Sequence, residues 1–358
     1  MKSQNWKSTN SENQWVWSIY SIVSVLFSLI LVTGIACTAS PNSDAAKINV
    51  STNGPQSETI KTSSEEFPVE IVDDSGEIIT IPRAPSRVIA LLPSVTDLIA
   101  DVGLSNRIIA TDDFSTLSLE YMDLPTVGGK DFIFNLEAMV DLSPDLIVTA
   151  SSGTSELVTQ LRLIGIPVVV LDFPADVSEM LSALRKIGVI FGSSGQAERL
   201  ATKLENRLAD ITSKIVRQKP VRVYLEIDQS TPTQPFTVSK GSLHHEVLTL
   251  AGGENIFGES MGAFPQVNWE SIIQGDPEVI LLLDSSEYNL DSTPNLASFT
   301  EVSSRTGWEG IQAVKNNAVI PFPPDLFNGG IEIIDAVERI AAILEEHSNQ
   351  LIQKENNR

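Results

Sequence analysis

This chain is poor in the residue types that make covalent cross-links and hold metals. It has one cysteine and three histidines among 358 residues. The single Cys37 excludes an intrachain disulfide. The histidines are His244, His245 and His347, so nothing before residue 244 offers an imidazole. A bare zinc or manganese site with ligands converging from both halves of the chain therefore lacks its usual donors in the first half. Positive charge is also scarce. Lys and Arg number 24 against 46 Asp and Glu, a net charge of −22. Phosphate neutralisation needs a basic face, so a nucleic-acid partner is excluded. There is no phosphate-binding loop, no dinucleotide glycine pattern and no nucleophile with a base at motif spacing, which leaves catalysis without a signature.

The rest is ample. Hydrophobic residues make up 42% and charged residues 20%, the balance of a globular protein, and the length suffices for two domains. The N-terminus departs from that balance. Lys2 and Lys7 precede an uncharged run from Trp15 to Ala36. It is long enough to cross a bilayer, which takes about 20 residues. The run ends at Gly34-Ile-Ala-Cys37 and resembles a bacterial lipoprotein signal, with small Ala36 before a cysteine to be lipidated. Gly34 stands where such signals carry Leu. The alternative is an uncleaved transmembrane anchor. Both place the remainder outside the membrane. Residues 38–66, rich in Ser, Thr, Asn and Pro, read as a flexible tether.

One stretch occurs twice. Asn135–Val148 reads Asn-Leu-Glu-Ala-Met-Val-Asp-Leu-Ser-Pro-Asp-Leu-Ile-Val. Asn268–Leu281 reads Asn-Trp-Glu-Ser-Ile-Ile-Gln-Gly-Asp-Pro-Glu-Val-Ile-Leu, aligned without a gap. Each copy predicts a short helix opened by Asn and Glu, a Pro-containing turn and an apolar strand. A chain that builds this unit twice predicts two similar lobes, with Glu137 and Glu270 at matching positions.

Around the repeats, apolar strand-like runs alternate with helical patterns. Strands are expected at 67–72 and 78–81 as a hairpin, then at 87–92, 108–111, 145–150, 166–171, 221–227, 278–284 and 318–322. Helices are expected near 98–102, where Ser94 or Thr96 would cap, and over 135–142, 154–164, 178–191, 196–218, 241–253 (closed by its two glycines), 269–274 and 331–346. Alternation of this kind predicts an α/β fold with parallel sheets covered on both faces. The expected organisation is a signal or anchor over 1–37, a linker over 38–66, an N-terminal lobe over 67–194, a connecting helix over 195–218 and a C-terminal lobe over 219–358.

Several pieces together resemble a known family. They are Ile81-Pro-Arg-Ala-Pro-Ser-Arg-Val-Ile-Ala-Leu, Pro93-Ser-Val-Thr-Asp, Val127-Gly-Gly, Asn135-Leu-Glu, Leu142-Ser-Pro-Asp-Leu-Ile, Gly165-Ile-Pro-Val-Val, Ala251-Gly-Gly-Glu-Asn-Ile-Phe and Phe264-Pro-Gln-Val-Asn-Trp-Glu. Their order and spacing resemble the solute-binding proteins of ABC importers, in the cluster that handles cobalamin, ferric siderophores and haem. The resemblance implies two Rossmann-like lobes joined by one long helix, the class III periplasmic-binding-protein fold, with ligand held between the lobes. It also implies that each lobe presents a carboxylate to arginines of the permease, which places those carboxylates at Glu137 and Glu270. No catalytic role, resident metal or cofactor is expected. The expected partners are a permease with its ATPase, a metal-chelate ligand and the membrane through the N-terminus, with the protein acting as a monomer.

Ligand contacts are expected from loops at the strand ends. A large flat chelate needs apolar walls and a few polar anchors. Phe114, Phe236, Phe264 and Phe327 are the candidate walls, and Lys130 and Asp325 the candidate anchors. The cobalamin-binding relatives often carry Trp or Tyr in such loops, where this chain has Phe or Lys. A corrinoid is the first expectation, then a ferric siderophore, then haem, because the candidate loops offer mainly Lys130 and Lys240 to an anion. His244 and His245, at a helix start, are expected at the surface or as caps, and Glu226 and Asp228 at a solvated strand end. A sensor or adhesion module and an enzyme on the same scaffold are the alternatives from other classes.

Overall fold

The computed structural model describes residues 67–115, 123–151, 154–215, 219–228, 231, 233–284 and 298–357. The N-terminal segment, Cys37 and the tether lie outside them. The description begins with an antiparallel hairpin of β1 (Val69–Val72) and β2 (Ile78–Ile81), in which Val69 faces Ile81 and Val72 faces Ile78. Asp73 holds its turn by accepting from the amides of Ser75 (3.0 Å) and Glu77 (3.1 Å). The hairpin is tied to the body by Arg162, which pairs with Asp73 at 2.6 Å.

Two four-stranded parallel sheets follow. The first contains β3 (Val88–Ala90), β4 (Ile108–Ala110), β5 (Leu146–Thr149) and β6 (Val168–Val170), in the spatial order β4-β3-β5-β6. The second contains β7 (Val221–Glu226), β8 (Gly253–Asn255), β9 (Val279–Leu282) and β10 (Val319–Pro321), in the order β10-β9-β7-β8. Numbered within each lobe, both orders are 2-1-3-4. The duplication read from the repeat therefore extends to the topology of the lobes. Every residue of β5 and of β9 is buried, because helices cover both faces of each sheet.

The helices of the first half are α1 (Pro93–Asp101), α2 (Leu136–Asp141), α3 (Ser155–Leu163) and α4 (Val177–Phe191). Helix α1 differs from expectation at its start. Neither Ser94 nor Thr96 caps it; Leu92 does so with φ 75° and no side-chain bond, and Pro93 takes the first helical position, where its missing N–H is harmless. Thr96 instead donates back to the Leu92 carbonyl at 3.0 Å.

Helix α5 (Ser194–Ser213) is shorter at its C-terminus than the expected 196–218, spanning about 30 Å. Its buried face is Ala197, Ala201, Leu204 and Ile211. It crosses α4 so closely that a Cβ on Gly188 would lie 2.5 Å from the Cβ of Ala197; only glycine fits there. On its other side Arg207 pairs with Asp335 at 2.6 Å and with Glu338. Both acids belong to the terminal helix α10 (Ile333–Asn356), which runs ten residues past its expected end at 346. The second half also contains α6 (Leu243–Leu250), α7 (Trp269–Gly275), α8 (Phe299–Ser304) and α9 (Gln312–Lys315). Among the described residues no helix is long and apolar enough to cross a membrane.

Candidate functional site

The two copies of the repeat build the same object. Asn135 caps α2 by accepting from the amide of Ala138 at 3.0 Å, and Asn268 caps α7 by accepting from that of Ser271 at 2.8 Å. Ser143 (φ 48°) and Asp276 (φ 41°) take left-handed backbone at matching positions and turn the chain toward the sheet. Asp145 then accepts from the amide of Arg87 (2.9 Å) and Glu278 from that of Arg222 (3.0 Å), fastening the third strand of each lobe to its first. Glu137 and Glu270 are the second residue of each helix and both are exposed. A carboxylate in that first turn gains from the helix dipole. Because each helix precedes a strand and runs against it, both glutamates stand near the sheet edge where the strands end. That is the edge at which open α/β sheets bind ligands.

In the first lobe this edge is organised by Asp112, which is fully buried. Its carboxylate accepts from the amides of Leu92 (2.5 Å), Phe114 (2.8 Å) and Ser115 (3.1 Å) and from the Ser115 hydroxyl (2.9 Å). Burial pushes its pKa up against those bonds. The ends of β3 and β4 are thereby locked together, with Leu92 held at a positive φ that a Cβ-bearing residue rarely takes. Phe114 is half-buried and its ring meets Phe132 at 5.9 Å. Lys130 is exposed on the adjoining turn, and its amide donates to Asp113 at 3.3 Å. Phe114 and Lys130 thus share one loop cluster.

The second lobe separates its candidates. Phe236 is half-buried on an irregular strand, its amide donating to the Asp228 carbonyl at 2.8 Å. Phe264 is half-buried and set edge-on to His244 at 5.6 Å. Asp325 is exposed. Phe327 is not a free wall: it is 3% exposed and stacked on His244 at 4.3 Å and 9°. His244 itself is buried, not at the surface, and burial pushes its pKa down to about 3. Its Nδ1 finds no hydrogen-bond partner among the described residues.

Glu226 and Asp228 are likewise buried rather than solvated. Arg305 explains Glu226. Its two terminal nitrogens meet the carboxylate at 2.7 and 2.8 Å, and its Nε donates to Glu301 at 2.9 Å. The Tyr224 hydroxyl donates to the same Glu226 at 3.0 Å. The guanidinium lies 4.6 Å from the ring of Trp308 and 5.9 Å from that of Trp269, which is the neighbour of Glu270. Burial opposes the charge on Arg305, but its bonds to Glu226 and Glu301 hold its pKa above the usual range. Burial and the charge of Glu226 together push the Tyr224 phenol up.

The lobes meet at defined points. The Glu246 carboxylate accepts from the first amide of α4, at Val177, over 2.6 Å. Gly329 has φ +90°, and a Cβ there would lie 2.9 Å from the ring of Phe173. Among the described residues no group of three or more His, Cys, Asp or Glu is placed to hold a metal.

Known proteins match both the sequence and the fold. The sequence profile of the periplasmic binding protein family covers residues 88–326, well over half the chain. An uncharacterized ABC transporter substrate-binding lipoprotein of Bacillus subtilis, YvrC, is 27% identical over 288 residues, covering 78% of this chain and 87% of its own length. A vitamin B12-binding protein of Yersinia pestis is 32% identical over 208 residues, covering 57% of this chain and 72% of its own. The solved structure of the haem-binding protein HutB of Vibrio cholerae superposes with a TM-score of 0.64 at 20% identity, covering 72% of this chain and 99% of its own, and so shares the fold. The chain belongs to the periplasmic binding protein family, as a substrate-binding protein of an ABC transporter.

Proposed function

We propose that this protein captures a metal chelate between its lobes, a corrinoid before a ferric siderophore or haem, and presents it to the permease through Glu137 and Glu270. The observation that carries the docking half is the identity of the two glutamate settings: the same Asn cap, the same helical position, the same exposure and the same strand-end edge. The ligand half is supported by the half-buried rings of Phe114, Phe236 and Phe264 at those strand ends, and by Lys130 and Asp325 exposed beside them. In this reading the protein catalyses nothing, and a lipid on Cys37 or a transmembrane anchor keeps it at the outer face of the membrane.

The test is charge reversal of both docking residues. Glu137→Lys with Glu270→Lys should leave ligand affinity within about twofold and abolish uptake in cells, since rim charges set register and encounter more than the fold. Normal uptake by the double variant sinks the docking assignment. Loss of ligand binding in the same variant would instead place these residues in the ligand site.

A further inference from the structure

The two docking helices rest on different ground. Leu146 and Val279 hold the same place in the repeat and pair with Val88 and Val223, so Ile89 corresponds to Tyr224 and Leu91 to Glu226. Within the repeat itself Leu136 corresponds to Trp269. In the first lobe these positions are apolar: Ile89 and Leu91 are fully buried, and Leu136 packs against their cluster. In the second lobe the matching layer is charged and aromatic. It lies beneath Trp269, the first residue of α7 and the immediate neighbour of Glu270.

Arg305 is the centre of that layer. It closes α8 and is 4% exposed. One side of its guanidinium bonds Glu226, the last residue of β7, at 2.7 and 2.8 Å. The other bonds Glu301 of α8 at 2.9 and 2.8 Å. Bonds to two carboxylates on two elements leave the plane one orientation, a constraint that a lysine, as a point charge, would not impose. The guanidinium carbon lies 5.9 Å from the ring of Trp269 and 4.6 Å from that of Trp308, and the two indoles meet edge-on at 6.1 Å. The indole N–H of Trp269 is buried without a hydrogen-bond partner among the described residues. Ring contacts therefore orient this side chain, and one of them is with a group that cannot turn.

We infer that Arg305 is a positioning residue for docking: by fixing the Trp269 ring it sets where the first turn of α7 holds Glu270, and it serves the second lobe alone. This rests on the docking proposal. A functional side chain keeps its geometry when the residues that support it are themselves locked. Trp269 and Glu270 share one turn, so a loosened ring leaves that turn to the Asn268 cap. Glu226 ends β7 at the strand-end edge, so the same guanidinium ties that edge to the docking turn. Glu137 has Leu136 beside it instead, seated on apolar neighbours that impose no such plane.

The experiment uses two variants. Glu226→Leu combined with Arg305→Met removes the plane without leaving a buried acid unpaired, and Met refills the volume with a flexible side chain. Trp269→Leu leaves Arg305 in place and gives α7 the residue that α2 has. Hydrogen exchange is read on the purified full-length protein in detergent. Amides of 269–275 should exchange about tenfold faster or more in both variants, with those of 136–141 unchanged. Uptake is read in cells at equal amounts of surface protein, with radiolabelled cyanocobalamin, a ferric trishydroxamate and haem as probes. For the probe that the unaltered protein imports, both variants should lower the initial rate about fivefold or more and leave its Kd within about twofold. In a chain carrying Glu270→Ala neither variant should lower uptake further, whereas in one carrying Glu137→Ala each should. Unchanged exchange at 269–275 overturns the inference. So does normal uptake by both variants where Glu270→Ala is impaired, and in either case the docking proposal stands. Equal losses in both backgrounds mark general destabilisation and overturn it too. Normal uptake by Glu270→Ala overturns the docking proposal and the inference with it. Import of none of the probes by the unaltered protein counts against the chelate proposal, and exchange then decides whether Arg305 holds the turn.

Discussion

Replacing Arg305 by Met removes the cation from a site that keeps its acids, and the size of the loss follows from burial. Arg305 is 4% exposed and Glu226 fully buried. Once the two bonds at 2.7 and 2.8 Å are gone, Glu226 keeps the Tyr224 hydroxyl at 3.0 Å as its remaining partner in this group. Breaking a buried pair by deleting one member costs roughly 3–5 kcal/mol, most of it the desolvation of the orphaned charge. The stacking over Trp308 at 4.6 Å adds about 1 kcal/mol. Glu301, whose side chain is 34% exposed, is screened by water, so Glu301→Gln should cost below about 1 kcal/mol. Removing both charges behaves differently. Glu226→Leu combined with Arg305→Met refills the space with apolar volume and should recover all but about 1–2 kcal/mol of the single-variant loss. Urea unfolding of the wild type, Arg305→Met, Glu226→Leu and the double variant, followed by far-UV circular dichroism, closes the cycle. A cost below about 1 kcal/mol for Arg305→Met refutes the claim that buried Glu226 depends on Arg305 as its partner. So does a double variant as unstable as the single one.

His244, neutral when folded with a pKa near 3, titrates near 6.5 once unfolded, so the unfolded chain binds the extra proton and stability falls as pH drops from 6.5 toward 3. The loss is about 2 kcal/mol at pH 5, and His244→Phe should flatten that part of the profile; parallel profiles over the acid range would contradict its burial. Asn135→Ala and Asn268→Ala should each cost about 1 kcal/mol in unfolding free energy and reduce uptake without weakening ligand binding, because the cap fixes the turn that carries each glutamate. Unchanged stability in both would show that the caps contribute nothing. Gly329→Ala combines a left-handed φ with a 2.9 Å approach to Phe173, and should cost roughly 1–3 kcal/mol. Phe173→Ala in the same chain should return only the part due to contact, and full recovery would mean that the backbone is unstrained there.

The central strands were legible because they are buried on both faces and so appear as apolar runs; β8 (Gly253–Asn255) was not, since Gly-Glu-Asn with Glu254 exposed carries no apolar signal. The docking helices were legible because the repeat fixed the Asn cap and the Glu register together. Other features left a trace that was read too weakly. His244 shares a helical face with Val247 and Leu248, both buried, and that spacing alone argues for an inward ring. Glu226 ends a strand buried from Val223 onward and lies between the buried Leu225 and Ile227, a setting in which a carboxylate needs a partner. The partner itself was invisible, since Arg305 stands 79 residues away and nothing local marks it. Phe327 was misjudged for a similar reason. A short Pro-Pro-Asp-Leu-Phe turn has no period, so its inward side is decided only by His244 arriving from another part of the chain.

Duplication and divergence divide this molecule in a way that bears on its partners. Strand order, Asn caps, left-handed turns and exposed glutamates are held in common by the two lobes. The devices at the strand ends are not. Asp112 locks the edge of the first lobe around a backbone at positive φ, while Arg305 and the stacked His244 and Phe327 rigidify the second. Two lobes that keep one feature while losing resemblance beside it are under different demands at each place. On the docking proposal, the retained feature answers a partner that offers similar chemistry to both lobes, and the diverged edges answer a ligand that offers each lobe a different side. Single charge reversals at Glu137 and at Glu270 should then impair uptake to a similar degree. On the ligand proposal, reversal of Lys130 in one lobe and of Asp325 in the other should alter ligand affinity in opposite directions, since each would meet a different part of the same bound chelate.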